Sequence, residues 1–138
     1  QLQQALGFAS ILVSHDGADV MAWADELLIM QAGQVVQQGP PRQLYARPAS
    51  EYCAAMLGAY SYWPFGAGPQ LVRPEQLSLS THEQAGYYPA LIEQVFFEGP
   101  TTLLQLRWQQ HTVWARSPLH HWQPGQTVYL APQVLPIL

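Results

Sequence analysis

His15 has the residue type and the setting for chemistry. It lies in Ser14-His15-Asp16-Gly17, directly after the apolar run Phe8-Ala9-Ser10-Ile11-Leu12-Val13. A nearly continuous apolar run of that length suits a strand buried on both faces of a parallel sheet. Open α/β sheets bind ligands just past the carboxyl ends of such strands. An imidazole placed there can hydrogen-bond a phosphate oxygen and sense its presence. The same position also suits a histidine that caps the next helix or bonds a loop carbonyl, and position alone leaves both readings open. The other histidines are His82, His111, His120 and His121. Adjacent residues on a strand point apart, and no carboxylate or cysteine stands at ligand spacing from them, so no metal site is expected. Cys53 is the only cysteine and sits in an apolar helical stretch, which marks it as a core residue rather than a nucleophile. Trp108, Trp114 and Trp122 are read as packing or interface residues, in preference to platforms for bases or sugars.

Composition narrows the functions available. The chain has 138 residues with 49% hydrophobic content and only 10% charged residues, and its formal charge is -4. The five cations, Arg42, Arg47, Arg73, Arg107 and Arg116, are scattered, and lysine is absent. Nucleic-acid binding needs clustered cations to neutralise phosphates, so a nucleic-acid-binding reading has little support. A polybasic membrane anchor is excluded on the same ground. A single cysteine allows no intrachain disulfide, in keeping with a reducing compartment. No apolar run approaches the roughly 18 residues of a membrane span. The opening Gln1-Leu2-Gln3-Gln4 has neither an initiator Met nor the layout of a signal peptide, and the chain is expected to be a piece of a longer protein.

The elements that must position these residues follow from periodicity and punctuation. Residues 1–6 read as the end of a helix closed by Gly7, and residues 8–13 as the buried strand. A helix is expected over about 18–26, with Asp16 as N-cap and Val20, Met21, Ala24 and Leu27 inward. Leu27-Leu28-Ile29-Met30 and Gln34-Val35-Val36-Gln37 flank Gln31-Ala32-Gly33 as a hairpin. Gly39-Pro40-Pro41 ends it, and short helices are expected over 41–46 and 49–57. The second has Tyr52, Ala55 and Met56 as its apolar stripe and Gly58 as its stop. Residues 59–69 carry two glycines and two prolines among four aromatics, which reads as a linker that packs onto something. Short strands follow: 70–80 broken at Arg73-Pro74, 88–97, 102–108 with Leu104, Leu106 and Trp108 on one face, 111–116, and 126–131 after Pro124-Gly125. Five short strands in about 70 residues suggest a small barrel or sandwich.

Taken in order, several segments resemble the end of an ABC importer ATPase. They are Ser14-His15-Asp16, Ala24-Asp25-Glu26, Leu28-Ile29-Met30, Gly33-Gln34-Val35-Val36-Gln37-Gln38-Gly39-Pro40, Leu44-Tyr45-Ala46-Arg47-Pro48 and Ala54-Ala55-Met56-Leu57-Gly58. No single piece is specific, but the ordered set over about fifty residues is. The later Leu71-Val72-Arg73-Pro74-Glu75, Val95-Phe96-Phe97-Glu98-Gly99 and Pro124-Gly125-Gln126-Thr127-Val128-Tyr129-Leu130 resemble the TOBE domain, an OB-like β module. The fold class implied is the α/β tail of an ABC ATPase core over residues 1–60, followed by a small all-β OB-like TOBE barrel over residues 61–138.

The resemblance implies that His15 is the switch histidine, which contacts the γ-phosphate of ATP and helps position the attacking water. Gly17 departs from the Gln or Glu usual in the family. Arg73-Pro74-Glu75 is read as structural, with Pro74 fixing φ. ATP and Mg2+ would belong to the full-length protein. With no lysine there is no phosphate loop here, so this stretch alone is expected neither to hold ATP tightly nor to hydrolyse it, and no cofactor is expected in it. The implied partners are a second ATPase subunit in a homodimer, membrane permease subunits and, indirectly, an extracytoplasmic solute-binding protein. The implied location is peripheral, on the cytoplasmic face of the inner membrane. The short C-terminal region with one TOBE-like unit looks most like ferric-iron importers, with sulfate, polyamine and sugar importers as the alternatives. The alternative is a non-enzymatic β module that senses a small anion or metal, or dimerises.

Overall fold

The computed structural model describes residues 9–66, 68 and 70–133. The helix end expected over residues 1–6, its Gly7 cap and Phe8 lie outside the described residues. The chain divides into two compact units between Gly58 and Ala59.

In the first unit, Asp16 caps helix α1 (Gly17–Trp23), its carboxylate accepting from the Ala18 and Asp19 amides at 3.0 and 3.3 Å. The helix stops three residues before the expected Glu26, with an extended Ala24 as C-cap. Strands β1 (Leu27–Gln31) and β2 (Gln34–Gly39) form an antiparallel hairpin. Its two-residue loop, Ala32-Gly33, has φ of 52° and 79°, the left-handed pair that a tight hairpin with right-twisted strands requires. Helix α2 (Pro41–Ala46) begins with proline in its first turn, where no amide donor is needed. Helix α3 (Glu51–Leu57) starts two residues later than expected, because the Ser50 hydroxyl accepts from the Cys53 amide and makes Ser50 the N-cap. Leu27, Ile29, Leu44, Cys53 and Leu57 form the core, with Val20, Met21, Ala24, Tyr45 and Tyr52 packed on it.

Two expectations for this unit fail. Residues 9–13 are not a buried strand: they pair with nothing described, and Ile11 and Val13 are 95% and 91% exposed. A strand buried on both faces needs strands to pair with and a layer packed on each face of the sheet, and for residues 9–13 the described residues do not supply that set. Among them there is an antiparallel hairpin and no parallel sheet. The inward stripe of α3 is also displaced. Cys53, Ala54 and Leu57 are buried, whereas Ala55 and Met56 face solvent and Tyr52 is half-buried. Cys53 and Leu57 are one turn apart on the face toward β1, so spacing alone did not select between adjacent stripes.

The second unit is a five-stranded antiparallel sheet in the order β5-β9-β6-β7-β8, with a two-stranded ribbon of β3 (Ser61–Tyr62) and β4 (Leu71–Val72). The strands are β5 (Leu77–Ser80), β6 (Tyr88–Phe97), β7 (Thr102–Trp108), β8 (His111–Ser117) and β9 (Thr127–Pro132). Period-2 alternation makes the core: Leu104 and Leu106 of β7, Val113 and Ala115 of β8, Ile92 of β6 and Val128 and Leu130 of β9 have no exposed surface. Between Ile92 and Gln94 the register slips by one residue, so β6 carries a bulge at Glu93. The sheet curls until a 3-10 turn (Pro74–Gln76), just before edge strand β5, packs on β8 at the opposite edge. Arg116 of β8 pairs there with Glu75 at 3.3 Å and with Glu98 at 2.9 Å. This curled half-barrel is the OB-like β architecture.

The aromatic stretch, expected as a linker that packs onto something, does pack, within this unit. Ser61 and Tyr62 are strand, Trp63 is buried in the core, and Phe65 stacks on Tyr88 with ring centroids 4.4 Å apart. Buried Arg73 donates to the Ala59 carbonyl at 3.1 Å, and its amide donates to Gln76 Oε1 at 2.7 Å. Arg73, Pro74 and Glu75 thus fix backbone and sheet edge.

Candidate functional site

The turn at His15 is built by short-range bonds on both sides of the histidine. The Asp16 amide donates to Ser14 Oγ at 3.0 Å, and the Asp16 carboxylate caps α1. Ser14, His15 and Asp16 therefore form one small unit with the first turn of α1, and the His15 side chain stands exposed on it. His15 also lines an open groove of about 920 Å³, together with Ser14, Gly17, Trp23, Leu28 and Met56. The lining includes the acidic Asp25 and Glu26 but no arginine among the described residues. A triphosphate needs several donors or cations. The side-chain donors of this groove include the His15 imidazole and the hydroxyls of Ser10, Ser14 and Tyr52, with no cationic side chain beside them among the described residues.

Gly17 has a structural role that the sequence did not signal. A Cβ on it would lie 2.4 Å from the Met56 carbonyl oxygen and 3.1 Å from the Leu57 Cα. Only glycine lets the first turn of α1 approach the backbone of α3 this closely.

The histidines of the second unit are held apart. His120 Nδ1 is hydrogen-bonded to the buried Thr102 hydroxyl and packs against Phe97, whereas His121 packs against Trp122. His111 stacks on Trp108, and the His82 amide donates to Ser80 Oγ. Among the described residues no three His, Cys, Asp or Glu side chains gather as metal ligands. Trp122 is buried and donates from Nε1 to Ser117 Oγ at 2.9 Å, and Trp114 packs near Phe96. Trp108 packs between Phe65 and His111. The tryptophans thus serve packing. Cys53 is fully buried. Among the described residues no helix is long and apolar enough to cross a membrane.

Comparison with known proteins agrees with this architecture. The TOBE domain family matches residues 71–134. The Fe(3+) ions import ATP-binding protein FbpC 1 of Pectobacterium atrosepticum is 28% identical over 94% of this chain and 44% of its own length. The sulfate/thiosulfate import ATP-binding protein CysA of Pseudomonas putida is 31% identical over 78% of this chain and 33% of its own. The spermidine/putrescine import ATP-binding protein PotA of Bacillus thuringiensis is 29% identical over 77% of this chain and 33% of its own. The chain therefore spans less than half the length of these curated relatives. The second unit thus matches the TOBE domain family, and 94% of the chain is homologous to the C-terminal regions of ABC importer ATP-binding subunits.

Proposed function

We propose that this chain is the C-terminal part of an ATP-hydrolysing importer subunit, with His15 as its switch histidine. Residues 1–60 complete the α/β ATPase core, and residues 61–138 are the TOBE domain. The observation that carries this reading is the exposed imidazole on a turn braced by Ser14 and Asp16 and facing an open groove. The relatives are ATP-binding proteins, and the strands that would flank residues 9–13 come from the preceding part of the longer polypeptide. The phosphate loop and the groups that hold Mg2+ come from there too.

His15 then supplies one hydrogen bond to the γ-phosphate and orients the attacking water. Phosphoryl transfer depends mainly on positioning and charge stabilisation, so a single placed donor can gate turnover. The subunit would act as a homodimer on the cytoplasmic face of the membrane, with permease subunits and, through them, an extracytoplasmic binding protein. Two of the three relatives named above import other solutes. Ferric iron is the proposed cargo because the iron-importer relative aligns with nearly the whole chain.

The test is ATPase turnover of the full-length protein reconstituted with its permease, wild type against His15→Ala. Turnover is expected to fall about 100-fold or more, as for loss of a transition-state donor, with nucleotide binding retained. Wild-type turnover in the variant would refute the assignment.

A further inference from the structure

We propose that Gly17 is a positioning residue for His15, setting where the imidazole stands by seating the histidine turn against the end of α3. The inference deepens the reading of His15 above and rests on it. Three observations combine. First, the contact between Gly17 and α3 is backbone to backbone: the atoms a Cβ would meet are the Met56 oxygen and carbon and the Leu57 Cα, and no flexible side chain can yield. Second, α3 is a firm seat. Cys53 and Leu57 are buried against Leu27, Ile29 and Leu44, and the Tyr52 hydroxyl donates to the Met30 carbonyl at 2.8 Å. Third, the turn moves with α1, because the Asp16 carboxylate holds the Ala18 and Asp19 amides and Ser14 Oγ holds the Asp16 amide.

A methyl group at position 17 must withdraw from 2.4 Å to at least 3.0 Å from the Met56 oxygen. Since α3 is anchored, α1 and the turn bear the displacement, only two residues from the imidazole. Sub-ångström to ångström misplacement of a catalytic group lowers rate about 10- to 100-fold. Alanine is otherwise the better helix former at this position, so helix propensity cannot cause the loss.

The experiment measures kcat and KM for ATP, together with nucleotide binding, in the full-length protein reconstituted with its permease. The variants are Gly17→Ala, Asp16→Ala, His15→Ala and the double variant Gly17→Ala/His15→Ala. The expected result is a kcat about 10- to 100-fold lower for Gly17→Ala with KM and nucleotide affinity unchanged, and a double variant no slower than His15→Ala alone. A residue that acts through His15 has nothing to position once the imidazole is gone. If His15→Ala is inactive while Gly17→Ala keeps wild-type kcat, the positioning role is refuted and the histidine assignment stands. If the double variant falls below His15→Ala by the full factor of Gly17→Ala, the glycine is merely structural and the inference is likewise refuted. Wild-type turnover in His15→Ala removes the underlying assignment and this inference with it. Should Gly17→Ala lose nucleotide binding through misfolding, Asp16→Ala decides. It releases the tie between turn and helix, and a lowered kcat at unchanged KM supports the inference, whereas unchanged kcat overturns it.

Discussion

Ser61→Ala offers a sharp test of how the β unit holds its ribbon. Ser61 is 4% exposed, and its Oγ accepts the Trp114 amide of edge strand β8 at 2.7 Å. On the other side β3 pairs with β4, so this hydroxyl supplies a polar tie between ribbon and sheet beside the apolar packing of Trp63 and Val72. Removing it deletes a hydrogen bond and leaves a poorly hydrated amide without a partner, a change that costs about 1–3 kcal/mol. Since about 1 kcal/mol shifts Tm by about 4–8 °C in a domain of 60–100 residues, the β unit should melt lower by at least about 4 °C. Thermal unfolding followed by tryptophan fluorescence reads the loss, and amide exchange reads its location: Trp114 should lose protection while the Leu104 and Leu106 amides keep theirs. Unchanged Tm with Trp114 still protected would refute the argument that Ser61 holds the edge.

Other outcomes follow from the same structure. Leu104→Ala, at a position with no exposed surface, should cost about 2–5 kcal/mol in denaturant unfolding, whereas Leu91→Ala on the exposed face should stay within about 0.5 kcal/mol. The Arg116 guanidinium hydrogen-bonded to Glu98 holds that carboxyl below its ordinary value of 4.5. A lowered folded pKa stabilises at pH above the unfolded value, and the contribution is lost as pH falls through the folded one. The Tm difference between wild type and Arg116→Leu should therefore be full at about pH 6 and shrink by about pH 3. A difference that does not change with pH would sink this account. The effects of His15→Ala and Gly17→Ala on turnover, stated above, complete the set.

The β unit was legible because its strands alternate cleanly. Strands 88–97 and 102–108 were read with the bounds they have, since Leu104 and Leu106 mark one face and turn residues stand at the ends. The aromatic stretch is legible as a segment that packs, from four aromatics among its glycines and prolines, but what Trp63 packs on is not, because that sheet is assembled from residues far along the chain. In the first unit the histidine turn and the hairpin were readable from local signals, with Asp16 in the expected cap. The α3 stripe was not, because a seven-residue helix with Cys53, Ala54, Ala55, Met56 and Leu57 in succession offers two adjacent apolar faces, and only packing on β1 selects one. The contact at Gly17 left no periodic trace at all. Backbone proximity between residues forty positions apart is invisible to any pattern of side chains.

The bulge at Glu93 separates two kinds of information carried by β6. Ile92 faces the core opposite Leu106, and Val95 faces it opposite Leu104, three residues further along a strand whose period is two. Glu93 absorbs the odd residue. A strand lacking Glu93 would still place Ile92 and Val95 inward and Gln94 outward, so the division into inside and outside needs no bulge. The local bend does, because the extra residue bends the strand and increases its twist. The pattern of apolar residues thus encodes the two faces, and Glu93, paired across to Arg107, adds a local bend to a sheet whose strands already twist. Position 93 can thus gain or lose a residue with the inward places of Ile92 and Val95 kept, and only the local bend altered.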